Sequence, residues 1–204
     1  MVAIAGKDYA IIASETRLST GYSIYTRDQS KLFPLTNKCI LGSTGCWCDA
    51  LTFSKTIEMR VRNYLFEHNR TISTNALAQL ISNMLYYKRF FPYYISNIVA
   101  GLDDEGKGTL YHYDPIGHHE EGKYFAAGSS CSLIQPFLDH RVGLKNINRA
   151  GAALPDMPIE EAITIVKDAF VSAAERDIYV GDDVDIRIMT ANGIQQMRHK
   201  LRRD

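Results

Sequence analysis

The sequence lacks an excess of charge of either sign. Lys and Arg together number 23, as do Asp and Glu, so the formal net charge is zero. Electrostatic binding to nucleic acid or to a membrane surface needs a basic excess, so we expect neither partner. Apolar runs approaching the roughly 18 residues of a membrane-spanning helix are also absent. The first charge, Lys7, is followed at once by Asp8, unlike the basic start of a secretory signal, so we expect an intracellular protein.

Cysteine is scarce and poorly spaced for a metal or disulfide framework. The four cysteines are Cys39, Cys46, Cys48 and Cys131. The Cys46-x-Cys48 pair has no second pair and no histidine at zinc-finger distance. We therefore predict small apolar residues in a strand and the following helix start, with a redox role as the minor alternative. The sequence predicts no metal and no cofactor.

Hydrophobic periodicity predicts strands and helices in blocks. Apolar runs at 2–5 and 9–13 around a Gly-centred turn predict a buried hairpin. Further strands are predicted at 21–26, 31–35, 39–44, 95–102, 109–113, 124–126, 184–189 and 194–197, and helices at 49–68, 74–85, 132–140 with a bend or break at Pro136, and 156–173 capped by Asp156. This order predicts one domain over residues 1–204, an α+β four-layer αββα sandwich of two antiparallel sheets between helix layers.

Polar residues follow the first hairpin as Glu15-Thr16-Arg17. They are expected at the end of the sheet, where a site or a subunit contact can use them. The segment resembles the proteasome β-subunit family, whose mature chains begin with threonine, run through a short hairpin and exit with Asp-Ser-Arg or Asp-Thr-Arg. The resemblance continues through residues 89–94, 101–108, 113–117, 133–136, 172–177 and 201–204, and is greatest to non-catalytic members. It implies the N-terminal-nucleophile hydrolase fold.

An N-terminal-threonine hydrolase needs its own α-amino group as base, a lysine, a carboxylate that holds the lysine, and an oxyanion donor. The resemblance places Met1 about two residues inside the catalytic threonine's position and Glu15 at the aspartate that orients the lysine. The lysine position falls on Leu32. Lys31, one residue away, is expected on the opposite face of its strand, solvated or in contact with a neighbouring subunit.

Of the remaining parts of such a site, some have a matching residue in this sequence and others do not. Asp177 and Ser129 match supporting residues of active members, but the serine expected three residues after Asp177 is Val180. The only Gly-Thr pair, Gly108-Thr109, lies inside a predicted hairpin, where autocatalytic cleavage would destroy the fold. We therefore assign no catalytic, cofactor-binding or metal-binding residue.

Four other clusters each allow a structural and a functional interpretation. His118-His119-Glu120-Glu121 is predicted to be a solvated polar turn rather than a metal cluster. The acidic run 103–105 is predicted to be a hairpin tip rather than a calcium loop. The aromatic run 90–94 is either core or an interface anchor, with equal weight. The basic residues Arg198, Lys200, Arg202 and Arg203 form a solvated end or a contact to an adjoining subunit.

The resemblance implies a non-catalytic structural β subunit of the 20S proteasome core particle. Such a subunit positions active neighbours and lines the proteolytic chamber for ubiquitin-dependent degradation in cytoplasm and nucleus. Its partners would be neighbouring β subunits in a seven-membered ring, the α-ring subunits and the opposing β ring. Two alternatives remain, namely an active threonine protease subunit whose first residues are missing here, and a free-standing small-molecule amidohydrolase with its own exposed nucleophile.

Overall fold

A computed structural model describes residues 1–145, 147 and 155–204. The strands are β1 (Val2–Ala5), β2 (Tyr9–Glu15), β3 (Leu18–Thr20), β4 (Ser23–Thr26), β5 (Leu32–Pro34), β6 (Cys39–Gly45), β7 (Ile95–Leu102), β8 (Gly108–Tyr113), β9 (His119–Gly122), β10 (Tyr124–Ala126), β11 (Asp183–Thr190) and β12 (Gly193–Lys200). The helices are α1 (Trp47–His68), α2 (Thr74–Tyr87), α3 (Cys131–Arg141) and α4 (Ile159–Ala174).

Two antiparallel five-stranded sheets form the centre of the fold. The first has the order β10-β1-β2-β11-β12 and the second the order β5-β6-β7-β8-β9, while β3 and β4 make a separate small hairpin. Helices α3 and α4 cover the first sheet, and α1 and α2 cover the second. The predicted αββα sandwich is confirmed.

Alternation along the buried strands divides the interior into three apolar layers. In β2, Ile11 packs towards α4 and Ile12 packs against the facing sheet, where it meets Ile40 and Ile98. All seven residues of β2 are buried. This central strand, with its partner β1, therefore delivers its last residues into the interior and not onto the surface.

One predicted turn is a strand. His119–Gly122 forms β9, the edge of the second sheet, with His119 opposite Tyr113 of β8. The imidazole stacks on the Tyr113 ring, with centroids 5.2 Å apart, while Glu120 and Glu121 are exposed. The prediction of a solvated turn was wrong because an edge strand with polar side chains shows little apolar alternation.

The helix ends follow the sequence in part. Ser73 caps α2, accepting a hydrogen bond from the Ala76 amide at 3.3 Å. Helix α4 has Pro158 at its N-cap, so the predicted cap at Asp156 was wrong. Helix α3 runs through Pro136 without interruption. Because Pro136 has no backbone N–H, the carbonyl of Ser132 lacks its hydrogen bond within the helix. Ser132 is exposed, so water can take the place of that donor.

Among the described residues, no helix combines the length and apolar character needed to cross a bilayer.

Candidate functional site

A cavity of about 630 Å³ opens where β1 begins, where β2 and β6 end, and where α3 begins. Its lining combines charged, hydroxyl and apolar groups and includes Met1, Glu15, Lys31, Thr44, Gly45, Trp47, Tyr94, Ser129, Cys131 and Val180. Residues singled out in the sequence for their resemblance to a hydrolase site therefore meet in one pocket.

Lys31 and Glu15 form a buried ion pair in this pocket. Only 8% of Lys31 and 7% of Glu15 is exposed, and the Lys31 ammonium donates to Oε1 of Glu15. Burial acts to raise the pKa of Glu15, but the charge and hydrogen bond of Lys31 outweigh it and hold that pKa below its ordinary value. The carboxylate is therefore ionised and engaged at neutral pH.

The prediction of a solvated Lys31 was wrong, and the structure pairs Lys31, not Leu32, with Glu15. Leu32 is 4% exposed and packs between the sheets with Ile12 and Ile40. Alternation then turns Lys31 the other way, towards Glu15. Lys31 and Leu32 do point to opposite faces, as alternation predicts, but Leu32 faces the other sheet and Lys31 faces the pocket.

Asp177 fastens the start of α3 to the loop after α4. Its Oδ2 accepts hydrogen bonds from Ser129 Oγ at 2.7 Å and from Ser130 Oγ, and its Oδ1 accepts one from the Tyr179 amide at 2.9 Å. Burial acts to raise the pKa of Asp177, but the Ser130 and Ser129 hydroxyls and the Tyr179 amide hold it below its ordinary value. Val180 is 5% exposed and packs into the apolar layer below, offering no hydroxyl.

A second buried network lies beside the pocket. Arg17 is 4% exposed, and its Nε donates to Asp182 Oδ2 at 2.8 Å while its Nη1 donates to the Ile178 carbonyl at 2.9 Å. Arg27 donates to the other oxygen of Asp182 at 2.6 Å. Against burial, these two guanidinium groups keep the pKa of Asp182 low. Sequence analysis missed Asp182 and Arg27 because no local pattern marks residues whose partners are distant in the chain.

Met1 occupies the pocket's apolar side. Its backbone nitrogen donates to the Ala127 carbonyl at 2.9 Å and its carbonyl accepts from the Ala127 amide at 3.0 Å, which extends the pairing of β1 with β10. That nitrogen lies 3.8 Å from Glu15 Oε2. The side chain is 4% exposed and packs between the sheets. The residue whose backbone nitrogen lies beside the ion pair therefore carries a thioether, which has no proton to give up and cannot act as an activated nucleophile.

Three hydroxyl groups of the pocket have other partners, whereas the Ser43 hydroxyl, also in the lining, is buried and makes no hydrogen bond. Thr44 Oγ1 donates to the Ser96 carbonyl at 3.3 Å, and Ser129 and Ser130 are held by Asp177. Cys131 is exposed at the first position of α3. The pocket is thus arranged to hold charges in place, and the hydroxyls of Thr44, Ser129 and Ser130 are bound away from Lys31.

The cysteines and possible metal ligands give no second site. Cys39 is buried, which raises the pKa of its thiol to about 12 and makes it inert, as predicted for a small apolar residue. Cys46, Cys48 and Cys131 are exposed, and all four are free thiols. Within residues 1–145, 147 and 155–204, no three His, Cys, Asp or Glu side chains come together as metal ligands.

The aromatic run and the basic end now have defined environments. Phe90, Phe91 and Tyr94 are exposed, whereas the Tyr93 ring packs on Phe53 with centroids 5.2 Å apart. At the basic end, Arg198 pairs with Asp28, Arg202 with Glu175, and Arg203 with Asp183, at 2.9, 2.6 and 3.5 Å. The rings of Phe90, Phe91 and Tyr94 remain at the surface, and Arg198, Arg202 and Arg203 are paired within the chain.

Comparison with known proteins gives consistent matches. The family model for proteasome subunits matches residues 1–189. Proteasome subunit beta type-1 of Drosophila melanogaster is 50% identical over 204 residues, which cover 100% of this chain and 87% of that protein. The same subunit of Petunia hybrida is 45% identical, covering 100% and 92%, and proteasome subunit beta type-6 of Saccharomyces cerevisiae is 40% identical, covering 100% and 88%.

Proposed function

The chain belongs to the proteasome subunit family as a β-type member, and from that premise we propose that it is a non-catalytic subunit of the 20S core particle. In this role it positions active neighbours and lines the chamber in which ubiquitin-marked proteins are degraded, in cytoplasm and nucleus. Its proposed partners are β subunits on both sides in a seven-membered ring, the α ring and the opposing β ring. Assembly with other proteasome subunits follows from the family itself.

One observation carries the proposal. The buried Lys31–Glu15 pair is present, but Met1, whose backbone nitrogen lies 3.8 Å from Glu15 Oε2, turns its thioether between the sheets and offers the pair no hydroxyl. Threonine-type hydrolysis needs a hydroxyl at the lysine and a free α-amino group on the same residue as the base. Val180, in place of a supporting serine, removes a further hydroxyl from the pocket wall.

The retained polar residues support a structural role for the pocket. Glu15 and Lys31 neutralise each other, and Asp177 ties Ser129 and Ser130 of the α3 start to the loop after α4. Buried charges that are paired and hydrogen-bonded fix the segments that carry them. The pocket wall is thereby held in a single arrangement against which a neighbouring subunit can pack.

The same ion pair favours a second candidate function. Lys31 and Glu15 have the relation that the active family members need between lysine and carboxylate, and Leu32 no longer argues against it. A threonine upstream of Met1, placed at the pocket, would give an active N-terminal-threonine subunit.

The deciding experiment treats the endogenous assembly with an epoxyketone, which reacts covalently with an N-terminal threonine, and then measures the intact mass of each subunit. We expect a particle many times heavier than the 23.0 kDa of this chain, with sister subunits labelled and this chain unlabelled. An adduct on this chain would establish the active candidate instead. A small free oligomer would overturn both.

A further inference from the structure

The segment between α2 and β7 carries the largest group of exposed aromatic side chains among the described residues. We call residues 86–94 the aromatic turn. Its exposed rings are Tyr86 (64%), Tyr87 (88%), Phe90 (98%), Phe91 (81%) and Tyr94 (70%). Five such rings within nine consecutive residues form a patch, unlike the single exposed apolar residues that any surface shows.

The backbone of the aromatic turn is fixed by hydrogen bonds. The amides of Lys88 and Phe91 donate to the carbonyls of Leu85 and Lys88, each at 3.0 Å. At the far end, the Tyr94 amide donates to Asp49 Oδ2 at 3.0 Å and the Tyr94 carbonyl accepts from the Cys46 amide at 2.8 Å. The rings are therefore displayed on a preformed support, which lowers the entropy cost of docking.

The area of the patch matches one side of a stable interface. At these exposures the five rings present on the order of 800 Å² of accessible surface. One partner in a standard protein interface contributes about 800 Å². A monomeric protein rarely leaves so much aromatic surface of one short segment in water.

We propose that the aromatic turn anchors this chain in a sister subunit of the assembly, that is, in a different chain of the same family. This inference rests on the proposed function. Lys88 and Arg89 lie among the rings and are exposed, and the turn has no acidic residue of its own. Pairing of the turn with itself across a two-fold axis would oppose like charges. The partner surface is accordingly an apolar pocket with an acidic rim.

The aromatic turn also adjoins the candidate pocket. Tyr94 and Trp47 belong to the lining of the cavity that contains Lys31 and Glu15. A sister subunit seated on the turn then borders the mouth of that cavity. This gives the interface a position on the face where the family's catalytic residues lie.

The test measures incorporation into the core particle in cells that express tagged chains. The tagged double variant Phe90→Ser, Phe91→Ser is compared with the tagged unmodified chain and with Phe66→Ser, which removes a ring of similar exposure, 83%, from α1. We expect incorporation of the double variant to fall at least about tenfold, as for truncated hot-spot aromatics, and Phe66→Ser to match the unmodified chain. Circular dichroism and the thermal midpoint of the purified variants verify that each one folds.

Each outcome has a definite meaning. Unimpaired incorporation of the folded double variant overturns the assignment, as does an equal loss with Phe66→Ser. Failure of the tagged unmodified chain to enter the particle counts against the proposed function itself. A photo-crosslinking benzoylphenylalanine at Tyr87 identifies the partner, since an adduct with a sister subunit supports the inference and an adduct with a second copy of this chain overturns it.

Discussion

The pocket and the aromatic turn are neighbours with opposite kinds of surface. In the pocket, Lys31 and Glu15 are charged groups withdrawn from water, the supporting Asp177 is half-buried, and each has its partner inside the chain. In the turn, Phe90 and Phe91 are apolar rings left in water. The comparison teaches that the pocket is complete within the subunit, whereas the turn is complete only in an assembly.

The cost of solvation explains this difference. An unpaired charge in the interior costs several kcal/mol, so a chain that retains buried charges must also supply their partners. An exposed ring lacks only the free energy of its own burial, about 1.5–3 kcal/mol, and gains it when a partner covers the ring. Buried charges therefore need their partners when the chain folds, whereas exposed apolar rings can be covered later, when the subunits assemble.

The strongest test of the pocket's completeness removes one charge. Glu15→Ala leaves the buried Lys31 ammonium without its partner, and we expect the free energy of unfolding to fall by about 3–5 kcal/mol. Urea unfolding of the purified chain measures it. Glu120→Ala, at an exposed position on β9, serves as the control and should change it by no more than about 0.5 kcal/mol. A loss below about 1 kcal/mol for Glu15→Ala would mean that Lys31 finds water or another partner.

Acid tests the same pocket with a smaller effect. The pKa of Asp177 is lowered in the folded chain, so its stabilising contribution is present above the ordinary aspartate pKa of about 3.9 and is lost as the pH falls through the depressed value. We expect Asp177→Asn to weaken the fall in unfolding free energy between pH 5 and pH 3 by roughly 1 kcal/mol.

The exposed hairpin tip supplies the control for this pH series. Asp104→Asn makes the same substitution at an exposed position and should change the free energy of unfolding by no more than about 0.5 kcal/mol. Equal slopes for all three proteins would show that the hydrogen bonds of Asp177 add nothing to stability.

The aromatic turn should give the smallest effect on stability. Phe90→Ser removes a ring that is 98% exposed, so we expect the free energy of unfolding to change by at most about 0.5 kcal/mol. Phe53→Ala, at a fully buried position, should cost about 3–5 kcal/mol in the same urea experiment. A large loss with Phe90→Ser would show that the ring supports the fold and would remove the contrast with the pocket.

Most of the fold was predictable from local pattern. The hairpin of β1 and β2, the cap of α2 at Ser73 and strand β10 all follow from apolar periodicity and turn chemistry. Strand β9 was missed because its side chains are polar and show no apolar alternation, and because its pairing with β8 depends on the tertiary structure. The start of α4 was misplaced because Asp156 and Pro158 both satisfy the rules for a helix start.

The site was predictable as a set of residues but not as an arrangement. Of the residues singled out for their resemblance to the family's site, Glu15, Ser129 and Val180 line the pocket and Asp177 supports it. The predicted orientation of Lys31 was wrong, because the period of two along a strand shows which residues share a face but not which face is buried.

The sequence by itself determined the fold class and the family, because periodicity and motifs depend on residues a few positions apart. Only the tertiary structure decided which charges meet. Lys31 finds Glu15 across 16 positions, Ser130 finds Asp177 across 47 and Arg17 finds Asp182 across 165. It also decided that Phe90 lies in water. The burial and pairing of a side chain depend on what distant segments pack against it, and packing is a property of the whole chain.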